Sequence, residues 1–355
     1  MTTFDADVGV VGAGPLGLEL AVALKRAGIS YVQWEAGQIG STMQWWAPGT
    51  RWFSSAERIA IAGVPLETAF QEKTTREEYL AYLRGIMGQF GLVVRTYERV
   101  MTITRPGDAT SKGVTADSGF IVRTERRGAA CDTCVRRLVL VTGGTARPKL
   151  LGIPGEDLPH VSHYFQDPHT YFGQKLLIVG GRNSAAEAAL RCHRAGADVA
   201  FSYRRAGLDA KDIKYWLFPE LETLLKIGKI RGHFSTVPVE ITPGAVRLRR
   251  VLDGAESLVE ADFVLLMTGY AADMELFRQA GVELSADRQR PAYSEATMET
   301  NVPGLYVAGT AVAGTQEKYR VFLENCHVHV TRIVAALQGR AVDVIPAATY
   351  ARPET

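Results

Sequence analysis

The chain has 355 residues, which at roughly 100 to 200 residues per domain means two domains or one large one and excludes a single small module. Apolar residues make up 46% and charged residues 22%, the balance of an ordinary globular protein and not of a disordered or fibrous one. Forty Lys plus Arg against thirty-eight Asp plus Glu leave a net charge of +2, too small for a bulk attraction to nucleic acid or an anionic membrane, so any anion must be held by a local site.

No apolar run approaches the roughly 20 residues that span a bilayer; the longest, such as Phe263 to Met267, are strand-sized. The opening Met-Thr-Thr-Phe-Asp-Ala-Asp lacks the basic and apolar regions of a signal peptide. Four cysteines, Cys131, Cys134, Cys192 and Cys326, are too few for a disulfide scaffold in a chain this long, and a cytoplasmic location is expected.

The first informative element is the strand Asp7 to Val11, followed by the turn Gly12-Ala-Gly14-Pro15-Leu-Gly17 and an amphipathic helix to Lys25-Arg26-Ala27-Gly28. Gly12 permits the tight turn, Gly14 lets the backbone approach a pyrophosphate, and Gly17 lets helix and strand pack closely, with the anion at the helix N-terminus. Lys25 and Arg26 complement the helix dipole and Gly28 suits its stop. A second strand, Ile29 to Trp34, ends in Glu35, where a carboxylate would accept ribose hydroxyls.

Cys131-Asp-Thr-Cys134 has the spacing of a redox pair, but it sits in what reads as a hairpin turn before the strand Arg137 to Val141, far from the expected flavin ring, so an incidental or weakly metal-binding turn is the favoured reading. No second Cys/His pair offers four ligands, so no metal site is expected. The apolar strand Leu138 to Val141 ends in Thr142-Gly143-Gly144, and the segment Leu151-Gly-Ile-Pro-Gly-Glu-Asp-Leu-Pro159 reads as a crossing between domains.

At an offset of 168 residues the first unit repeats: strand Lys175 to Val179, turn Gly180-Gly-Arg182-Asn183-Ser184-Ala185, and Arg194-Ala-Gly196 in the place of Arg26-Ala-Gly28. Where the first copy has Glu35 the second has Tyr203, followed by Arg204 and Arg205. A carboxylate would repel a 2′-phosphate and guanidinium groups bind one, so the second site is expected to prefer NADPH over NADH. Arg182 stands where the close-approach glycine belongs, and contact of its side chain with the cofactor phosphates is expected. Phe263 to Gly269 is a second apolar strand ending in Thr-Gly, Gly304 to Thr310 a further strand-to-glycine turn, and Tyr319 to Leu337 reads as one long helix.

The expected fold is α/β, with two Rossmann-like dinucleotide-binding domains of three layers and parallel sheets, the second inserted in the first. The FAD-type domain is placed at 1 to 157 and 272 to 355, the NADPH domain at 158 to 271.

These landmarks resemble the thioredoxin-reductase-like flavoproteins with two dinucleotide domains, and within them the bacillithiol disulfide reductases. The residues that carry the resemblance are Arg51-Trp-Phe-Ser-Ser-Ala-Glu-Arg58, Gly152-Ile-Pro-Gly-Glu-Asp-Leu-Pro159 with His163-Tyr-Phe165, Gly180-Gly-Arg-Asn-Ser184, Ile213-Lys-Tyr-Trp-Leu-Phe-Pro-Glu220, Met298-Glu-Thr-Asn-Val302 and Phe322-Leu-Glu-Asn325. The resemblance implies FAD contacts at Gly12, Gly14, Pro15, Gly17, Glu35, Gly40, Gln44, Thr142, Gly143, Gly309 and Thr310, the last where thioredoxin reductases usually have an Asp. It implies NADPH contacts at Gly180, Arg182, Asn183, Ser184, Tyr203, Arg204, Arg205 and Gly269. The Cys-x-x-Cys of thioredoxin reductases has no counterpart in Val161 to Phe172, and Leu16 stands where the bacillithiol-type family typically has a Cys.

Candidates for the chemistry are Cys326, as a thiol in reach of the flavin, and His327 and His329, as proton donors on the same helix. Each is weighed against a packing role. Trp45, Trp46 and Trp52 either stack on the flavin or fill core, and Lys214, Tyr215 and Trp216 either line the nicotinamide cleft or begin a solvated helix. The expected activity is hydride transfer from NADPH to FAD and then to a low-molecular-weight thiol disulfide or a small redox protein. Ferredoxin- or flavodoxin-NADP reductase, flavin monooxygenase and a non-enzymatic nucleotide sensor are the alternatives. From the resemblance, a homo-oligomer is expected.

Overall fold

The first strand, β1 (Ala6–Val11), is buried at five of its six positions, the mark of a strand covered on both faces. The computed structural model describes residues 3–105, 118–317 and 320–341. The chain divides into two units: Met1–Gln44, Arg51–Arg147 and Tyr270–Thr355 form the first, and Trp45–Thr50 with Pro148–Gly269 the second.

In the first unit β1 pairs in parallel with β2 (Tyr31–Glu35), and β2 with β3 (Arg95–Thr96). The connections are α1 (Pro15–Arg26) between β1 and β2 and α2 (Arg76–Phe90) before β3. Helix α1 ends where Lys25 donates to the carbonyls of Phe90 (2.6 Å) and Gly91 (3.0 Å), tying it to the end of α2. Helix α2 opens on a capping box: Thr75 accepts the Glu78 N–H and Glu78 accepts the Thr75 N–H. Trp34 of β2 has no exposed surface, and its ring occupies the space above Gly9, where a Cβ would stand 2.9 Å away. That contact accounts for a glycine inside a core strand.

The other edge of β1 is met by a strand of two characters. An antiparallel meander runs from β4 (Arg99–Thr104) through β5 (Phe120–Arg126) to β6 (Ala129–Leu140). The C-terminal half of β6 then pairs in parallel with β1 and with the returning strand Leu305–Val307. The sheet is therefore mixed, where the sequence reading has parallel strands alone. The meander also places Cys131 and Cys134 inside β6, paired opposite Thr124 and Ile121, and the hairpin turn lies at Arg127-Gly128, both at positive φ. Successive strand residues point to opposite faces, so positions three apart diverge and the two thiols do not form a redox pair.

In the second unit five strands run parallel in the order Arg231–Phe234, Asp198–Tyr203, Lys175–Val179, Phe263–Leu266 and Val161–Ser162. We call Val161–Ser162 β7, Lys175–Val179 β8, Asp198–Tyr203 β9, Arg231–Phe234 β10 and Phe263–Leu266 β11. Alternation along β8 sends Leu176 and Ile178 to one face, against Ala185, Ala186, Ala189 and Leu190 of α3 (Asn183–Arg194), whose alanines allow close approach. Leu177 and Val179 face the other way, onto Val246 and Leu248 of the antiparallel strands Thr236–Thr242, Ala245–Arg250 and Glu256–Glu260. Three layers result: helix, parallel sheet, antiparallel sheet.

The last part of the chain returns to the first unit as β12 (Leu305–Val307) and α4 (His327–Leu337). The expected single helix from Tyr319 is shorter: Lys318 and Tyr319 lie outside the described residues, a 3₁₀ turn covers Leu323–Asn325, and α4 starts at His327. The reason is local competition. Asn325 accepts the Phe322 N–H (2.8 Å) and donates to the Arg320 carbonyl (3.0 Å), while Gln316 accepts the N–H groups of Arg320 (2.9 Å) and Val321 (3.0 Å). These side-chain bonds replace the helical ladder.

Candidate functional site: two nucleotide loops

At the C-terminal edge of β1, Gly12 has φ +111° and a Cβ there would lie 2.4 Å from the Val141 carbonyl oxygen; one at Gly17 would lie 2.3 Å from the Gly12 carbonyl oxygen. Both positions therefore exclude a side chain. Gly14, the N-cap of α1, is different: nothing lies within 4 Å of its Cβ position, so the loop presents bare backbone on an open side. Helix α1 begins with Pro15 in its first turn, no side-chain cap and no acid there, leaving its N-terminal dipole for an anion.

Glu35, the last residue of β2, reaches the first loop. Its Oε2 accepts the Ala13 N–H at 2.9 Å, and its Oε1 accepts the Gly37 N–H at 2.9 Å and the Ser41 hydroxyl at 3.1 Å. A carboxylate offers about four lone-pair positions, so one on Oε2 is left for a ribose hydroxyl. Gly40 (φ +66°) donates to the Ala13 carbonyl at 3.0 Å, and Gln44 is exposed at the end of the helical turn Ser41–Gln44. Where β6 ends, the Thr142 hydroxyl is buried without a hydrogen-bond partner, Gly143 has φ +76°, and the Thr310 carbonyl oxygen lies 3.1 Å from the Cβ position of Gly144. An open glycine cradle, an uncapped helix, an acid with a lone pair to spare and an orphaned hydroxyl fit FAD.

The second loop keeps the plan and changes the chemistry. Gly180 has φ +153°, and its Cβ would lie 2.6 Å from the Met267 carbonyl oxygen. Arg182 is the N-cap of α3 in extended backbone (φ −124°, ψ −169°), a conformation open to any residue, so the departure from glycine creates no backbone strain. Asn183 accepts the Lys214 N–H at 2.8 Å, tying the loop after β9 to the start of α3; Ser184 beside it is exposed. Gly269, the last residue of this unit, has φ +95° and open space at its Cβ position.

Tyr203 lies beneath this loop. It is buried among core residues, and its ring lies against Gly181, so it shapes the loop from below. Of the two arginines that follow, both exposed, Arg205 is paired with Asp212 at 3.0 Å, whereas Arg204 makes no ion pair among the described residues.

The candidates for catalysis are placed elsewhere. Cys326 has no exposed surface, and burial pushes its thiol far up, with the Glu19 charge adding to the effect; it is neither a thiolate nor able to touch a flavin. His327 faces two acceptors, Glu19 Oε2 at 2.7 Å from Nδ1 and the Arg58 carbonyl at 3.0 Å from Nε2. Burial alone would lower its pKa; the Glu19 carboxylate overcomes this and raises it, and both ring nitrogens are taken by acceptors. His329 accepts the Gly309 N–H at 3.2 Å, and burial, reinforced by Arg332 and His327, brings it down to about 4. Neither ring is free to donate a proton to a substrate.

Leu16 is buried against the Gly309 turn. Trp52 packs on Tyr79 in the core of the first unit (ring centroids 4.6 Å), and Trp45 packs on Tyr164 in the second (5.0 Å). Trp46 is half-buried. Lys214 is buried and Tyr215 is 80% exposed with its ring edge-on to Trp216. The residues that sequence reasoning missed are Glu19 and Asp212. Glu19 carried a usable signal, an acid on the buried side of a nucleotide-loop helix; Asp212 carried none, because the loop that brings it to Arg205 has no periodicity.

Two glycine-turn loops, one on each of two α/β units, suit an oxidoreductase with two dinucleotide sites. The chain belongs to the pyridine nucleotide-disulphide oxidoreductase family, whose model matches residues 10–309, and is an FAD-dependent enzyme of that class. It is 33% identical over 333 residues to the bacilliredoxin reductase Bdr of Bacillus subtilis (strain 168), covering 93% of this chain and 97% of that one. The structure of the bacillithiol disulfide reductase Bdr from Bacillus cereus superposes with a TM-score of 0.86 at 31% identity, over 94% of this chain and 99% of that one. A ferredoxin–NADP reductase of Ignicoccus hospitalis is 27% identical over 312 residues, 85% of this chain and 89% of its own. No helix among the described residues is long and apolar enough to cross a membrane.

Proposed function

We propose that this enzyme uses NADPH to reduce a low-molecular-weight thiol disulfide of the bacillithiol disulfide type. The observation that carries the reading is the likeness to a bacilliredoxin reductase over nearly the whole of both chains. In the balanced reaction NADPH, one proton and RSSR give NADP⁺ and two RSH. Bound FAD supplies the redox chemistry, accepting a hydride equivalent from NADPH and returning two electrons to the acceptor.

The chain's own residues hold and orient. We assign FAD to the first unit, with Gly12, Gly14, Gly17 and the start of α1 at the pyrophosphate, Glu35 at the ribose, and Thr142, Gly143, Gly309 and Thr310 along the remaining edge. NADPH is assigned to the second unit, with Gly180, Arg182, Asn183 and Ser184 at the phosphates, Arg204 and then Arg205 at the 2′-phosphate, and Gly269 at the unit's end. With Leu16 in the family's thiol position and Cys326 enclosed, the acceptor disulfide is reduced without a protein thiol at either residue. We place the enzyme in the cytoplasm as a homo-oligomer acting on a small disulfide or a small redox protein.

A second reading has a specific observation in its favour. The lack of an accessible thiol at residue 16 or 326 suits a ferredoxin- or flavodoxin-NADP reductase, which needs none. NADPH oxidation measured with bacillithiol disulfide, and separately with reduced-state detection of ferredoxin and flavodoxin, tests the proposal. Turnover with the disulfide supports it; turnover with ferredoxin or flavodoxin alone transfers the assignment to the second reading.

A further inference from the structure

Gly309 opens the 3₁₀ turn Gly309–Ala313 after β12 at φ +72°, the left-handed region that glycine tolerates. Its Cβ position is 3.6 Å from the Val141 side chain at the end of β6 and 3.7 Å from that of Leu16 at the start of α1. The next residue, Thr310, lies against Gly144. The loop after β6 and the start of α1 therefore both lean on one short turn, and the Gly309 N–H, which is buried, has the His329 Nδ1 as its partner. His329 is itself fixed: its N–H is bonded to the Cys326 carbonyl at 3.0 Å, and Val330 and Ile333 bury the same helix.

We propose that His329 is a positioning residue for the flavin: by accepting the Gly309 N–H it sets the turn against which the cofactor lies. The inference rests on the assignment of FAD to this unit. Only a neutral imidazole with its proton on Nε2 can accept at Nδ1, and the enclosed setting of the ring keeps it neutral. The role differs from proton donation, because the ring's working atom is turned to the backbone and not to a reacting group. Losing the acceptor leaves a buried N–H unpaired, which is expensive and is relieved by moving the turn.

Asn carries an oxygen on Cγ, as His carries Nδ1 on Cγ, so His329→Asn keeps an acceptor at the same reach; His329→Leu has none. The experiment measures the FAD dissociation constant and the flavin absorption spectrum of purified wild type, H329N and H329L, with thermal melts to confirm folding. We expect H329L to bind FAD about tenfold or more weakly, a change of about 1.4 kcal/mol, with a shifted spectrum, and H329N to restore both. If H329L does not fold, H329Q takes its place: its acceptor is displaced by one methylene, and weaker FAD binding than in H329N is expected. Equal affinities and spectra in all variants would overturn the role of His329 while leaving FAD binding intact. A wild-type protein that does not bind FAD would overturn the cofactor assignment and the inference with it.

Discussion

The ring of Tyr203 lies so close to Gly181 that a Cβ at residue 181 would stand 2.1 Å from it. The same two positions in the first unit are Glu35 and Ala13, 168 residues earlier, where the carboxylate accepts the Ala13 N–H at 2.9 Å. One repeat thus uses this pair to bond an acid to the loop backbone, and the other uses it to pack an aromatic ring under the loop. Replacing the acid by a buried ring removes a negative charge beside the second loop, and on the proposed assignment recognition falls to the arginines that follow.

Gly181→Ala is therefore expected to destabilise the second unit by about 1 to 3 kcal/mol, through overpacking against the ring. Urea unfolding checks this. Tyr203→Ala in the same chain should recover part of the loss, so that the double variant is less impaired than the sum of the singles, because the two residues touch.

Arg204 and Arg205 should contribute unequally. Arg205 is already engaged with Asp212, and Arg204 is not engaged in an ion pair among the described residues. Arg204→Ala is expected to raise the NADPH dissociation constant by about 10- to 100-fold, the loss of a charged hydrogen bond, with little change for NADH. Arg205→Ala should show a smaller change in the same direction. Fluorescence titration with both nucleotides decides it; equal losses for NADPH and NADH would remove Arg204 from the 2′-phosphate.

The His327 and Glu19 pair predicts a pH dependence of stability. Both partners of the imidazole are acceptors, and the raised pKa means the folded state holds the proton more tightly than the unfolded chain does. The contribution is then complete below about pH 6.5, the unfolded value, and is lost as pH rises through the higher folded value. Denaturant melts across that window should show the wild type losing about 1 to 2 kcal/mol that Glu19→Gln lacks throughout. A parallel pH profile for the two proteins would contradict the assignment.

Much of this was legible in the residues because glycine spacing is a direct record of backbone needs. Gly12, Gly17 and Gly180 stand where any Cβ would collide with a carbonyl. The repeat at 168 residues likewise exposed two α/β units. Contacts between distant segments were not legible: His327 meets Glu19 from 308 residues away, and nothing local distinguishes a bound histidine from a free proton donor. The position of Cys131 and Cys134 was not legible either: the sequence reads as a hairpin turn there, whereas β6 runs straight through both and the turn falls at Arg127-Gly128.

Cysteine replacement should be silent in turnover. Cys131 and Cys134 diverge across a strand and Cys326 is enclosed, so Cys131→Ser with Cys134→Ser, and separately Cys326→Ser, are expected to keep kcat/KM for disulfide reduction within about twofold. A loss of about tenfold or more, with the flavin still bound, would assign a thiol to the mechanism.

The most direct test of the account is a two-stage stopped-flow measurement on the FAD-loaded enzyme under anaerobic conditions. NADPH should bleach the flavin absorption, and subsequent mixing with bacillithiol disulfide should restore it, with two thiols released per NADPH consumed. Bleaching that bacillithiol disulfide does not reverse, while oxidised ferredoxin or flavodoxin does, would contradict it.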